Sequence, residues 1–462
     1  MRHKLIGPAH TRPRVQRPWA TRYNIGMIER YWLPEMKGLW SRENRLRQWV
    51  RVELAVAEAE AEMGIIPAEV PKKIGNALDK LDYAALAHCQ DEVEKEFDHD
   101  VVAFVACLER AVGDAGRWLH YGLTSYDVVD TANALLLKEA CELLIEETRN
   151  LHDALKEKAL AHKLTPIMGR THGVFAEPTS LGLKLLGFYA EAGRSITRLI
   201  EAKRVISMGK LSGTVGNSSI LGVELEKKVM EKLGLSPEPV STQVVPRDRY
   251  AQVFAAIAMA GAGLERLATE IRLLSRTEVG EMAEPFGKSQ RGSSAMPHKR
   301  NPVICERICG MARLLRGYAI AGFENIALWH ERDISNSSAE RVALPDATGL
   351  LFYMTRKMTE VVRGLEIDQD QIRENLEKFG DFYRSQLLLL ALVRAGISRS
   401  EAYAWVKEAS QKAMDEGMSL AEAALGHPEI AEALEEEGVM EALDHDYLSE
   451  VDGIFRRVLG KE

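Results

Sequence analysis

Between Thr124 and Pro166 the chain has no proline and no glycine, a span of about 40 residues, or roughly 60 Å if helical. A rod of that length is longer than a small compact domain is wide, so it must be buried along its flanks by other rods. Thr124 and Ser125 are both of a type that caps a helix start. The feature therefore predicts an elongated bundle of long helices before any other residue is considered.

Other segments fit the same architecture. From Glu43 the stretch "ENRLRQWVRVELAVAEAEAEMG" repeats Leu46, Trp49, Val50, Leu54 and Ala57 at helical spacing and stops at Gly64. "EFDHDVVAFVACLERAVG" predicts a second helix, opening on an acidic turn that suits the positive end of a helix dipole and closing at Gly113. Helical periodicity recurs from Pro178 to about Met208, from Pro246 to about Met282, and from Pro302 through the late 320s. Alternating β-branched patterns are nearly absent. Small residues, as in "AAIAMAGAG", permit close helix packing on more than one face, and excess apolar surface on a slender bundle predicts association with further copies of the chain.

The expected class is all-α: an elongated central helical bundle with smaller helical N- and C-terminal domains. The expected boundaries are 27–119, 120–366 and 367–462, the last marked by shorter segments between Gly380, Gly396, Gly417 and Gly426. Residues 1–26 carry Arg2, Lys4, Arg12, Arg14, Arg17 and Arg22 with no acidic residue and no apolar secretory core. They read as a leader, disordered or lying upstream of a natural start at Met27.

A net charge of −8 argues against general attraction to nucleic acid or an acidic membrane, so an anionic ligand needs a local basic cluster. No apolar run reaches the roughly 18 residues of a membrane span. The five cysteines, Cys89, Cys107, Cys141, Cys305 and Cys309, lie scattered in apolar helical patterns and read as reduced buried thiols, and no clustered ligands point to a metal.

One stretch breaks the helical pattern. "AEPFGKSQRGSSAMPHKRNPV" has glycines at 287 and 292 that permit unusual backbone angles, and Pro302 suits the first turn of the next helix. The loop brings Ser293, Ser294, Lys299 and Asn301 to a helix N-terminus, where free N–H groups favour an anion. Taken singly, a serine pair or a Lys-Arg pair is ordinary surface loop.

The whole string "GSSAMPHKRNP" resembles the signature loop of the fumarase/aspartase superfamily. "MIERYWLPEM", "HDVVAF", "HYGLTSYDVVDT", "GRTHGVFAEPT", "STQ" and "LWHERDISNSSAERVALPDAT" follow in the order and spacing of the adenylosuccinate lyase family, from about Met27 to the C-terminus. The resemblance implies a C–N lyase that eliminates fumarate from adenylosuccinate and from the succinylated aminoimidazole carboxamide ribotide. It also implies no metal or organic cofactor, cytoplasmic location, and a homotetramer whose sites are shared between subunits. Carboxymuconate cycloisomerases share "MPHKRNP" but not the "MIERY", "HDVVAF" and "WHERD" strings. A scaffold that has lost its chemistry is the reading from a different class, and intact Ser293, His172, Lys299 and Glu306 argue against it.

The same resemblance assigns roles. Ser293 is the base and His172, in "RTHG", the acid, with Glu306 as the carboxylate that orients or charges the histidine. Lys299, Asn301 and Ser294 hold the reacting carboxylate, and Thr124 and Ser125 a substrate carboxylate. His99 and Asp100 meet the substrate, His99 also assisting proton transfer. Here the chain has Asp98 where many relatives carry a basic residue. Gln243 is a substrate hydrogen-bond partner, while Arg30, Tyr31, Arg332, Ser337 and Arg341 contact the nucleotide and its phosphate. Thr171 joins the site beside His172. His120, in "LHYG", is either a site residue or a satisfied core histidine. On periodicity alone Glu306 is an ordinary first-turn acid, and the "HERD" and "AER" arginines are a solvated helix face.

Overall fold

The computed structural model describes residues 29–287 and 295–460. The predicted rod is a helix over Ser125–Ala161, 37 residues long. Thr124 occupies its N-cap position, and the Thr124 backbone N–H donates to Asp127 Oδ2 at 2.9 Å. Along its length it packs on the helices Leu181–Ile206 and Ser335–Arg363, while Asp248–Leu274 packs against Val303–Glu324. This last pair approaches closely because two positions carry no side chain. A Cβ on Gly261 would lie 2.5 Å from a Leu315 methyl, and one on Gly322 would lie 2.5 Å from the Phe254 ring.

Buried apolar residues fall into three clusters. The largest follows the long helices, from Leu136 through Tyr250 and Leu315 to Val362. A second joins Leu46, Trp49 and Phe104 to the first turns of the longest helix and to Leu225 and Val244. The third lies in the tail, from Leu388 to Leu443.

Two expectations are corrected. The segment around Pro178 is not helical: Pro166–Thr171 and Val174–Ser180 form an antiparallel hairpin, and the helix begins only at Leu181, where the Ser180 hydroxyl accepts from the Leu183 N–H at 3.2 Å. Pro178 mimics a helix start, but strand pairing with Met168 supplies the backbone bonds instead. Likewise the helix from 248 ends at Leu274, short of Met282, which pairs with Ile367 in a small two-stranded ladder.

A third correction concerns the thiols. Cys141, Cys305 and Cys309 are free and buried, but Cys89 and Cys107 are joined in a disulfide. They sit on Tyr83–Phe97 and Asp100–Val112, consecutive helices that turn back on each other at Asp98, which is left-handed (φ 50°). Burial pushes the Cys141 thiol up to about 12, so it is inert at neutral pH.

Candidate active site

A cavity of about 540 Å³ opens between the Arg42–Glu62 helix, the start of Asp100–Val112, the first turn of the longest helix and the start of Ser335–Arg363. Its walls include Arg42, Arg45, Asp100, Tyr126, Ser337 and Arg341. Asp100 is set by the helix it opens: His99 is the N-cap, its Nδ1 accepting from the Val102 N–H at 3.4 Å, and Asp100 Oδ1 accepts from the Val101 N–H at 2.9 Å. Arg341 Nη2 donates to Asp100 Oδ2 at 2.5 Å, and Arg341 Nε to the Ser337 hydroxyl at 3.3 Å. Burial raises the Asp100 carboxyl, but the charge and hydrogen bond of Arg341 outweigh it and hold the group below its ordinary range.

The lining balances Arg42, Arg45, Lys95 and Arg341 against Asp91, Glu94, Asp100 and Glu340, and Arg45 is the guanidinium most perturbed by its surroundings. Burial, with repulsion from Arg341, pushes its guanidinium down to about 10, and its Nε is buried without a hydrogen-bond partner among the described residues. An anion reaching Arg45 would meet a guanidinium Nε already stripped of water.

Tyr126 links this cavity to a second group. The Arg332 guanidinium lies 3.6 Å from the centre of its ring, and Arg332 Nη1 donates to Gln243 Oε1 at 2.8 Å. Gln243 Nε2 in turn donates to the Thr214 carbonyl at 3.1 Å, and Arg332 Nε and Nη2 are buried with no partner among the described residues. The distant "STQ" and "WHERD" strings thus meet beside the helix start that carries Thr124 and Ser125.

That helix start is held from below by ion pairs the sequence reading missed. Lys210 and Asp127 are both fully buried and paired, and Arg247 grips Asp130 with two nitrogens at 2.7 and 2.8 Å while reaching Glu340 at 2.9 Å. The only signal was a lysine between apolar neighbours in "MGKLSG". His120, in a left-handed conformation (φ 58°), binds Glu53 twice: Nδ1 to Oε1 and backbone N–H to Oε2, each 2.7 Å. Burial depresses this imidazole, but Glu53 outweighs it, so its pKa is raised above 6.5.

His172 occupies the tip of the hairpin. With Gly173 it forms a two-residue turn in which both φ angles are positive, 56° and 79°, the geometry that the right-handed twist of paired strands requires. Thr171 and His172 are exposed. Glu306 lies in the first turn of Val303–Glu324 and is also exposed, and Glu284 caps that helix by accepting from the N–H groups of Ile304 and Cys305 at 3.1 and 3.0 Å. Lys299 is exposed and Asn301 half-buried. Tyr31 packs edge-on against Tyr353, with Arg30 exposed beside it. Ser293 and Ser294 lie outside the described residues.

Asp100, Ser337 and Arg341 therefore share one cavity, and Gln243 pairs directly with Arg332, whose guanidinium lies over the Tyr126 ring at that cavity's wall. Among the described residues, the cavity walls do not include His172, Glu306, Lys299, Asn301, Arg30 or Tyr31.

A family model described as "Lyase" matches residues 30–317, and one described as "Adenylosuccinate lyase C-terminus" matches 381–458. The chain is 47% identical to the adenylosuccinate lyase of Thermotoga maritima, over 93% of this chain and 99% of that one. Among solved structures, the fumarate lyase from Mesorhizobium sp. BNC1 superposes with a TM-score of 0.85 at 26% identity, covering 94% of this chain and 99% of that one. The 3-carboxy-cis,cis-muconate lactonizing enzyme from Pseudomonas putida superposes at 0.81 with 27% identity, covering 93% and 97%. The lactonizing enzyme thus shares the fold, while the higher identity lies with the C–N lyase. On these grounds the chain belongs to the adenylosuccinate lyase family.

Proposed function

We propose that the protein eliminates fumarate from adenylosuccinate, leaving AMP, and performs the same cleavage on the succinylated aminoimidazole carboxamide ribotide. The observation that carries this reading is the identity to adenylosuccinate lyase along nearly the whole chain. The cavity bearing Arg45, Ser337 and Arg341 supports it, since two guanidinium groups and a hydroxyl are donors of the type that binds a nucleotide phosphate.

The proton removed lies beside a carboxylate and is very weakly acidic, so the carbanion must be stabilised as it forms. A positioned base contributes about 10² to 10⁴ in rate and one oxyanion donor roughly 2.7 to 4 kcal/mol, so both are needed. Ser293, as its alkoxide, takes the carbon-bound proton. The electron pair forms the C=C bond of fumarate as the C–N bond breaks, and His172 protonates the departing nitrogen with Glu306 orienting or charging it. Lys299, Asn301 and Ser294 hold the carboxylate on which charge accumulates, and Thr124 and Ser125 hold the other. Arg30, Tyr31, Gln243, Arg332, Ser337 and Arg341 bind the nucleotide. His99 and Asp100 contact the substrate. His120 and Thr171, the latter next to His172 in sequence, complete the assigned site.

We assign the active form as a homotetramer with sites built from several subunits, acting in the cytoplasm where such nucleotides are made. The long helices support assembly: Leu314, Ile320 and Phe323, all on Val303–Glu324, are 53%, 62% and 53% exposed in the single chain. Ultraviolet absorbance on mixing the protein with adenylosuccinate tests the activity; no change with a folded oligomer refutes it. Mixing Ser293→Ala with His172→Gln subunits tests shared sites, because mixed tetramers regain wild-type sites only if each site draws these residues from different chains.

A further inference from the structure

A two-stranded hairpin is marginally stable by itself, yet this one carries His172 on an exposed turn. Its ladder is also irregular: the register shifts between Met168 and Arg170, beyond which the strands pair only Arg170 with Phe175 and Thr171 with Val174, and the Phe175 ring packs edge-on against Phe379. At that irregularity the Arg170 side chain turns inward. Nη1 donates to the Met168 carbonyl at 3.1 Å and to Glu281 Oε2 at 2.9 Å, and Nη2 donates to Glu281 Oε1 at 2.6 Å. The guanidinium also lies 4.9 Å from the centre of the Phe175 ring on the opposite strand.

Glu281 is fully buried and immobilised from a third direction, since Asn375 Nδ2 donates to its Oε1 at 2.8 Å and to the Val279 carbonyl at 2.8 Å. Its backbone is fixed as well, the N–H donating to Leu274 and the carbonyl accepting from Asp368. A buried ion pair is a weak source of stability relative to apolar packing of the same volume, whereas its two-pronged geometry fixes direction closely.

We infer that Arg170 and Glu281 are positioning residues for the elimination, setting the hairpin tip so that His172 meets the departing nitrogen. This rests on the reading of His172 as proton donor. Neither residue touches substrate. The pair acts by holding an exposed turn to a rigid point on the bundle, and a tip displaced by about 1 Å loses rate on the order of 10²-fold.

The test is a double-mutant cycle on the assembled enzyme with Glu281→Gln, His172→Gln and both together, reading kcat, KM, melting temperature and oligomeric state. Glu281→Gln is expected to lower kcat by about 10- to 100-fold with KM changed less than about 3-fold. In the His172→Gln background the same substitution is expected to add less than about 2-fold, because the group it positions is already gone. Losses that multiply in the double variant, or a folded Glu281→Gln enzyme with near-wild-type kcat, overturn the inference. If Glu281→Gln does not assemble, Arg170→Lys carries the same cycle, keeping the charge while losing the two-pronged geometry; failure of both to assemble assigns the pair a purely structural role and also overturns it. A wild-type rate in His172→Gln alone refutes the proton-donor reading instead, an outcome distinct from multiplicative losses.

Discussion

Arg341 and Asp100 are 241 positions apart in sequence and 2.5 Å apart in space, joined by Nη2 and Oδ2 at the wall of a cavity lined by charged side chains of both signs. Asp100 holds the guanidinium in place and offsets its charge, as Asp91 does for Arg42 on the same wall, while the Nε of Arg45 is buried without a hydrogen-bond partner among the described residues.

If Arg341 binds the nucleotide phosphate, Arg341→Ala removes charge-assisted hydrogen bonds worth about 1.5 to 3 kcal/mol each. KM is expected to rise about 10- to 100-fold with kcat nearly unchanged, because a phosphate remote from the reacting carbon is held equally before and during reaction. Steady-state kinetics check this; a fall in kcat alone would assign Arg341 to the chemistry.

Ser293→Ala is expected to abolish turnover, by about 10³-fold or more, while equilibrium binding of adenylosuccinate and the oligomeric state are retained. Survival of the rate within 10-fold would move the base elsewhere.

Glu60 offers a pH test. It is fully buried on the same helix as Glu53, and both its carboxylate oxygens lack a hydrogen-bond partner among the described residues. Burial, with the charge of Glu53, pushes it from 4.5 up to about 8. Between those values the folded chain keeps a proton that the unfolded chain has released, so stability falls as pH rises through the window. Glu60→Gln removes the titration. Its melting temperature is expected to exceed that of the wild type above pH 8 and to converge with it near pH 4.5, as read by thermal denaturation across pH.

Breaking the Cys89–Cys107 link frees a loop of separation 18 and is expected to cost about 3 kcal/mol of stability. The loop contains His99 and Asp100, so KM is expected to rise with the loss. Denaturant melts and kinetics of Cys107→Ser, compared with wild type under a dithiol reductant, check both effects.

Helical periodicity and the capping residues Thr124 and Ser125 are local properties, and they were legible in the sequence together with the shorter helices of the tail. The family strings were legible for a similar reason: chemistry that needs a given side chain at a given spacing leaves a linear record. Their gathering was not. The hairpin under His172 escaped because Pro178 carries the local mark of a helix start, and only the partner strand overrides it.

The disulfide and the pairs Arg170–Glu281, Lys210–Asp127 and Arg247–Asp130 escaped for one reason. A charged or thiol side chain looks solvated or inert until its partner, in these cases 18 to 117 residues away, is known. Local backbone preference thus determined which segments became rods. The desolvation of side chains from distant segments, which only the packed bundle brings about, decided which charges pair and where the hairpin tip is anchored.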